Sequence, residues 1–361
     1  MGIPDLTVVT MTYNRPRFVQ RLIGYYERKS QRAVVLDGSN SASISSREQS
    51  NLRFVEYLHI PVPYHERLCA AGSLVVTDFV VLCGDDDFML VEGLESCCQV
   101  LREHVEVSSA CGIPIFQRRL ESGDWHVYPW TSGDPPLDWL RASVNDSTPL
   151  LRLRRHFMPY CPTAMYGVMR RDMFTEITSA VSQLTIPNIY REEYLFESVA
   201  ALVGSIQVVP VAMWIRSNEN VSITEREADL DFFDFLASQK SDRAFEEFVG
   251  LVHHAARVLN SDVPTDVREL EIAFRALIRS RRTKNDTSVD RSTLRTAIRS
   301  AVVRNHKLRT IARAGRDVLQ GTFSPSPWVR AGRRLERSGI RCDFAGLREI
   351  EALVRDFYFT S

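Results

Sequence analysis

The sequence has no overall charge of either sign, since 45 Lys and Arg balance 45 Asp and Glu. It has no C-x-x-C pair: the seven cysteines are an odd, scattered set in which Cys97 and Cys98 are adjacent. That excludes a disulfide framework or a zinc-ligand spacing and suits a reducing cytosol. None of the eight histidines forms a metal spacing, His253 and His254 being neighbours rather than i,i+4. No apolar run approaches the roughly 20 residues of a membrane span. The opening MGIPDLTVVT lacks a basic-then-apolar signal, and Leu6 stands where myristoylation wants Ser or Thr, so a cytoplasmic protein is expected. A phosphate-cradling P-loop and G-x-G-x-x-G are both missing, as are an internal repeat, a low-complexity tract and a Ser/His/Asp or Cys/His nucleophile constellation.

What is present is an ordinary globular composition, with 44% hydrophobic and 25% charged residues over 361 positions. That length exceeds what one hydrophobic core comfortably organises, so two units are expected. The zero net charge conceals an asymmetry. Between Arg279 and Arg341 there are 17 Lys or Arg against four acids, a net +13 that leaves −13 to the remainder.

The first 100 residues alternate strand and helix signals. LTVVTMTY, RAVVLDGS, LRFVEYLHI and DFVVLC read as strands, and RPRFVQRLIGYYERK, HERLCAAGSLVV and VEGLESCCQVLREH as helices. That alternation predicts a mostly parallel sheet with helices on both faces, whose ligands gather at the carboxyl ends of strands. Tyr13, Asp37 and the triplet Asp85, Asp86 and Asp87 all fall at such ends. Next come a hairpin (IPIFQRRL, a turn at Gly123, WHVYPW), helices over PPLDWLRASV and DMFTEITSAV, a strand over TAMYGVMRR, the helix REEYLFESVAALVG and a last strand, SIQVVPVAMWIRS. From Asn218 onward the pattern is helical or irregular.

Three adjacent acids after an apolar run admit two readings. One is a solvated turn, since Gly and Asp are ordinary turn residues. The other is a hard-cation site, where Mg²⁺ or Mn²⁺ cancels the mutual repulsion. The ordered landmarks VVTMTYNRP, VVLDGS, CGDDDF and REEYLF decide for the second, because together they resemble the family 2 nucleotide-sugar-dependent glycosyltransferases of GT-A fold. The resemblance covers roughly residues 5 to 222. It implies a GT-A domain over 1–222, with a nucleotide-binding half to about 110 and an acceptor-binding half beyond it, followed by a mainly helical region over 223–361.

It also implies roles. Asp37 would accept a hydrogen bond from a uracil-type base, Tyr13 would pack near that base, and Thr10, Arg67 and Asp85 would line the nucleotide-sugar site. Arg216 would lie near the diphosphate. Laid on the family's LDSDD pattern, Asp86 is the metal ligand and Asp85 contacts ribose or the metal shell; laid as a literal Asp-x-Asp, Asp85 and Asp87 are the pair, so Asp86 and Asp87 are both carried as metal candidates for Mn²⁺ or Mg²⁺. The cation would offset charge on a leaving nucleoside diphosphate. Glu193 stands where the family's basic Asp normally stands, one methylene longer, and Glu192 is the reserve. Taken alone, acids in a first helical turn are simply favoured by the dipole. The implied reaction inverts the anomeric carbon of a UDP-linked donor, with a saccharide, lipid-linked or protein acceptor, in cell-surface polysaccharide or glycoconjugate synthesis.

The basic stretch 291–321 could lie on an anionic membrane, dock on the acidic domain or a partner protein, or bind nucleic acid. The rival readings are therefore a nucleic-acid-binding or scaffold protein on a degenerate transferase fold, and a nucleotidyltransferase. The latter should show a Gly/Lys/Arg-rich phosphate loop near the N-terminus, and none is seen.

Overall fold

The computed structural model describes residues 2–120, 122–129, 142–158, 160–185, 189–219, 242–286 and 325–359. Strand β1 (Leu6–Thr12) leads through Asn14, whose φ of 55° turns the chain, into α1 (Pro16–Lys29). Asn is among the few non-glycine residues that tolerate this left-handed conformation. Pro16 starts α1, while Arg28 and Lys29 sit in its last turn, where they favour the negative dipole end. Then follow β2 (Ala33–Asp37), the short α2 (Ser46–Gln49), β3 (Val55–His59), α3 (Tyr64–Leu74), β4 (Phe79–Leu82), β5 (Phe88–Met89) and α4 (Val91–Glu103). The hairpin β6 (Val107–Arg119) and β7 (Trp125–Pro129), α5 (Pro149–His156), β8 (Val168–Arg170), α6 (Arg171–Ser182), α7 (Ile189–Val203) and β9 (Ser205–Ser217) complete the sheet region. Four more helices follow among the described residues: α8 (Asp242–Leu259), α9 (Val267–Asp286), α10 (Pro327–Glu336) and α11 (Phe344–Phe359).

The nine strands form one sheet in the order β3-β2-β1-β4-β8-β6-β9-β5, with β7 paired to β6. Strands β3, β2, β1 and β4 are mutually parallel; β8 runs against both β4 and β6, and β6 and β9 run parallel to each other. The expected mostly parallel α/β sheet is therefore present. Alternation along the strands divides its two faces. Leu6, Val8, Val35, Phe79 and Val81 enter one core with residues of α1, α4, α10 and α11. Val9, Val34, Leu36, Val80 and Leu82 enter the other, with residues of α3 and α5 to α9.

Several expectations change. A boundary at 222 separates no hydrophobic core: Phe248 and Phe274 share one core with Val9, and Trp328 and Leu347 share the other with Leu6. At the described end of the basic stretch 279–341, Trp328 is fully buried and Arg341 bridges to Val211. The helix expected over 135–144 falls largely outside the described residues, and Val144 pairs with Ile206 in an isolated bridge. The basic stretch 291–321 lies wholly outside them. No helix among the described residues is long and apolar enough to cross a membrane.

Candidate functional site

At the carboxyl ends of β1 and β4 lies a cavity of about 200 Å³, its wall including Arg15, Tyr64, all three acids, Tyr166, Trp214 and Arg216. The acidic triplet forms a turn in which each carboxylate has a different task. Asp85 is buried; its Oδ2 accepts from Thr12 Oγ1 at 2.8 Å and its Oδ1 from Arg15 Nη1 at 2.9 Å. Burial raises its pKa above the usual carboxylate value, against the pull of Arg15. Asp86 is more open, and its Oδ2 lies 3.4 Å from the same Arg15 nitrogen. Asp87 turns inward, accepting from Trp214 Nε1 at 2.9 Å and from the Ser217 amide at 2.7 Å. Burial, then the neighbouring Asp86, push its carboxyl up to about 7.

The fit to a divalent ion follows from this donor set. Asp85 and Asp86 converge on one guanidinium, so the turn holds a cation from the protein itself. No cluster of three or more His, Cys, Asp or Glu side chains suited to a metal occurs among the described residues. The pair fits an ion that takes one or two carboxylates and completes its shell from phosphate oxygens, as Mg²⁺ commonly does. Asp87, expected as a further ligand, also anchors the turn to β9, each of its oxygens accepting one hydrogen bond from a buried donor.

Asp37 is also turned inward. It ends β2 fully buried, and its two oxygens accept from the Ser39 amide (2.8 Å), the Ser39 hydroxyl, the Ser43 amide (3.0 Å) and Tyr57 Oη (2.6 Å). Burial alone would raise this carboxyl; the four donors outweigh it and hold it below the ordinary value. With two donors on each oxygen, Asp37 builds the loop 38–43. Arg67 is likewise turned inward from α3. Its Nη1 donates to the carbonyls of Thr12 (2.6 Å) and Leu36 (2.9 Å), joining the ends of β1 and β2. A Cβ at position 38 would lie 2.5 Å from this guanidinium, which is why glycine follows Asp37. Thr10 is fully buried and its hydroxyl has no hydrogen-bond partner among the described residues. Tyr13, by contrast, is 56% exposed beside the β1 end.

The far wall comes from β9 and the segment before β8. Tyr166 stacks on Trp214 with ring centroids 4.4 Å apart, and Arg216 lies 5.3 Å from that indole. Glu193, half-buried in the first turns of α7, accepts a short hydrogen bond from Tyr160 Oη. Burial and, with it, the Glu193 charge raise the pKa values of Tyr166 and Tyr64, both in the cavity wall. Glu192 is buried. The structure thus gathers Asp85, Asp86, Asp87 and Arg216 in one cavity, whereas Asp37 and Arg67 brace the ends of β1 and β2. Arg15, Trp214, Tyr160 and Tyr166 escaped the sequence reading as site residues. Arg15 alone had a local signal, its place in the TYNRP stretch. A larger cavity of about 890 Å³ lies at the opposite ends of the strands, between Glu106, Arg152, Asp172 and Asp262. Arg152 there is committed to the Ala201 and Leu202 carbonyls, and the strand-end acids are absent from its wall.

No protein-family model matches the chain, and no curated protein matches it. Solved structures do. S. aureus TarS 1–349 matches with 14% identity and a TM-score of 0.41, over 78% of this chain and 92% of that one. Its complex with UDP-GlcNAc matches with 13% identity and a TM-score of 0.43 over the same shares. The UDP complex gives 15% and 0.42, over 76% and 88%. These values describe a partial likeness of backbone path.

Proposed function

We propose that the chain is a glycosyltransferase that moves a sugar from a UDP-type nucleotide donor to an acceptor hydroxyl with inversion, in cell-surface polysaccharide or glycoconjugate synthesis. The observation that carries this reading is the convergence, in one strand-end cavity, of the Asp85–Asp86–Arg15 cluster with Arg216, and with the carboxylate of Glu193 nearby. A nucleoside diphosphate needs cations around its phosphates, and an acceptor hydroxyl needs a base. Arg15 and Arg216 meet the phosphates. Asp85 and Asp86 would hold a divalent ion, which supplies Lewis-acid neutralisation of the leaving diphosphate. Exposed Tyr13 offers an aromatic face to the base, over the loop that Asp37 and Arg67 brace.

Glu193 takes the proton from the acceptor hydroxyl as its oxygen attacks the anomeric carbon. The bond from that carbon to the diphosphate breaks on the opposite side, so configuration inverts and the nucleoside diphosphate leaves. Tyr160, donating to Glu193, keeps the carboxylate in one orientation. A melting-temperature panel of nucleoside diphosphates with and without Mn²⁺ tests the reading. Stabilisation follows the logarithm of ligand concentration over Kd, so one hundred times Kd gives about 2.7 kcal/mol. A uridine diphosphate shift that grows with Mn²⁺ is expected, and no shift with any nucleoside diphosphate refutes it.

A further inference from the structure

The acidic turn is held from behind by the last turn of the chain's final described helix. Arg21 of α1 is buried, and its Nη2 donates to the backbone carbonyl of Asp86 at 3.0 Å. Its Nη1 donates to Glu219 Oε2 at 3.1 Å, an ion pair whose carboxylate side chain is 0% exposed. A charge so deeply buried is tolerable only when its lone pairs are filled. Gln117 Nε2 (3.0 Å), Ser217 Oγ (2.7 Å) and Tyr358 Oη (2.6 Å) complete the set around Glu219.

Tyr358 and its neighbour Phe357 come from α11. Phe357 lies 4.6 Å from the Arg21 guanidinium, and its carbonyl accepts from Arg17 Nη2 at 2.5 Å. The same turn also reaches the third acid, because Ser217, bonded to Glu219 through its hydroxyl, gives its amide to Asp87. Two routes therefore run from α11 to adjacent members of the triplet: Tyr358–Glu219–Arg21 to Asp86, and Tyr358–Glu219–Ser217 to Asp87.

We propose that Glu219 and Tyr358 are positioning residues and that the end of α11 is a working part of the donor site, setting the conformation of the Asp85–Asp87 turn from 139 residues along the chain from Glu219. The proposal rests on the function proposed above for what the turn binds, but not for the coupling itself. The same helix supplies a control. Glu349 of α11 pairs with Arg28 and Lys29 of α1, away from the triplet, so it ties the same two helices without touching the turn.

The test compares full-length Tyr358→Phe, Glu349→Gln and a chain ending at Asp356 by hydrogen–deuterium exchange and by calorimetry with UDP and Mn²⁺. Tyr358→Phe removes one hydrogen bond to a charged group, so amides 84–88 should exchange about tenfold faster and UDP should bind about tenfold more weakly. The truncation should exceed both effects, and Glu349→Gln should show neither, even where it lowers the melting temperature. Unchanged exchange at 84–88 in Tyr358→Phe overturns the proposal. So does an equal effect from Glu349→Gln, which would mean general loosening of the helix. Exchange needs no ligand, so the coupling is decided even if the truncated chain does not fold. If wild type binds no nucleoside diphosphate, the functional reading fails while the exchange result stands.

Discussion

Replacing Asp86 and Asp87 by alanine, one at a time, should separate binding from stability between adjacent residues of identical chemistry. Asp87→Ala strips the acceptor from two buried donors, Trp214 Nε1 and the Ser217 amide. A buried donor left unsatisfied costs about 1–3 kcal/mol, so the pair amounts to about 2–6 kcal/mol. Removing a carboxyl that burial and Asp86 push up to about 7 returns part of that cost, which places the net loss toward the lower end. Asp86→Ala loses a 3.4 Å contact to Arg15 by a side chain that keeps 17% exposure, and it relieves repulsion on Asp87. An ion pair of that kind is worth about 0–1 kcal/mol. Urea unfolding followed by circular dichroism, at unchanged m-value, measures both. Asp87→Ala should unfold at clearly lower urea while Asp86→Ala stays near wild type, and calorimetry with UDP and Mn²⁺ should show binding lost in folded Asp86→Ala. Equal destabilisation by the two variants would refute the division of tasks, as would intact Mn²⁺-dependent binding in Asp86→Ala.

Glu193→Gln should lower the transfer rate by about 10² to 10⁴ while leaving UDP affinity unchanged; transfer that survives there but fails in Glu192→Gln would move the base one residue along α7. Arg15→Ala should raise the affinity of the nucleotide-free protein for Mn²⁺ by about fivefold, because a guanidinium worth about 1 kcal/mol no longer occupies the carboxylates. Electron paramagnetic resonance titration measures it, and unchanged or weaker Mn²⁺ binding would separate Arg15 from the cation site. The Asp37 carboxyl is depressed on folding, so its contribution is fully present above its ordinary value of 3.8 and is lost as pH falls through the lower folded value. Asp37→Asn should therefore flatten the acid limb of stability below about pH 4 in urea titrations across pH; an acid limb as steep as wild type would show that other carboxyls carry it.

Local pattern alone determined the first half of the fold. Strands β1 to β4 and helices α1, α3 and α4 were legible because burial alternates every second residue in a strand and every three or four in a helix, and both periods are written in consecutive side chains. The same logic put Asp37 and the triplet at strand ends. It could not say which way a carboxylate turns once there, since that depends on donors far along the chain. Trp214 stands 127 residues from the Asp87 it holds, and Tyr358 stands 139 from Glu219. Nor could it show that Trp328 and Phe248 complete the two faces of a sheet begun at Leu6. Periodicity marks an apolar face without naming what the face will meet. Only the assembled sheet, by bringing distant donors and acceptors to one strand end, made Asp87 an anchor, Asp37 a brace and Asp86 the open carboxylate.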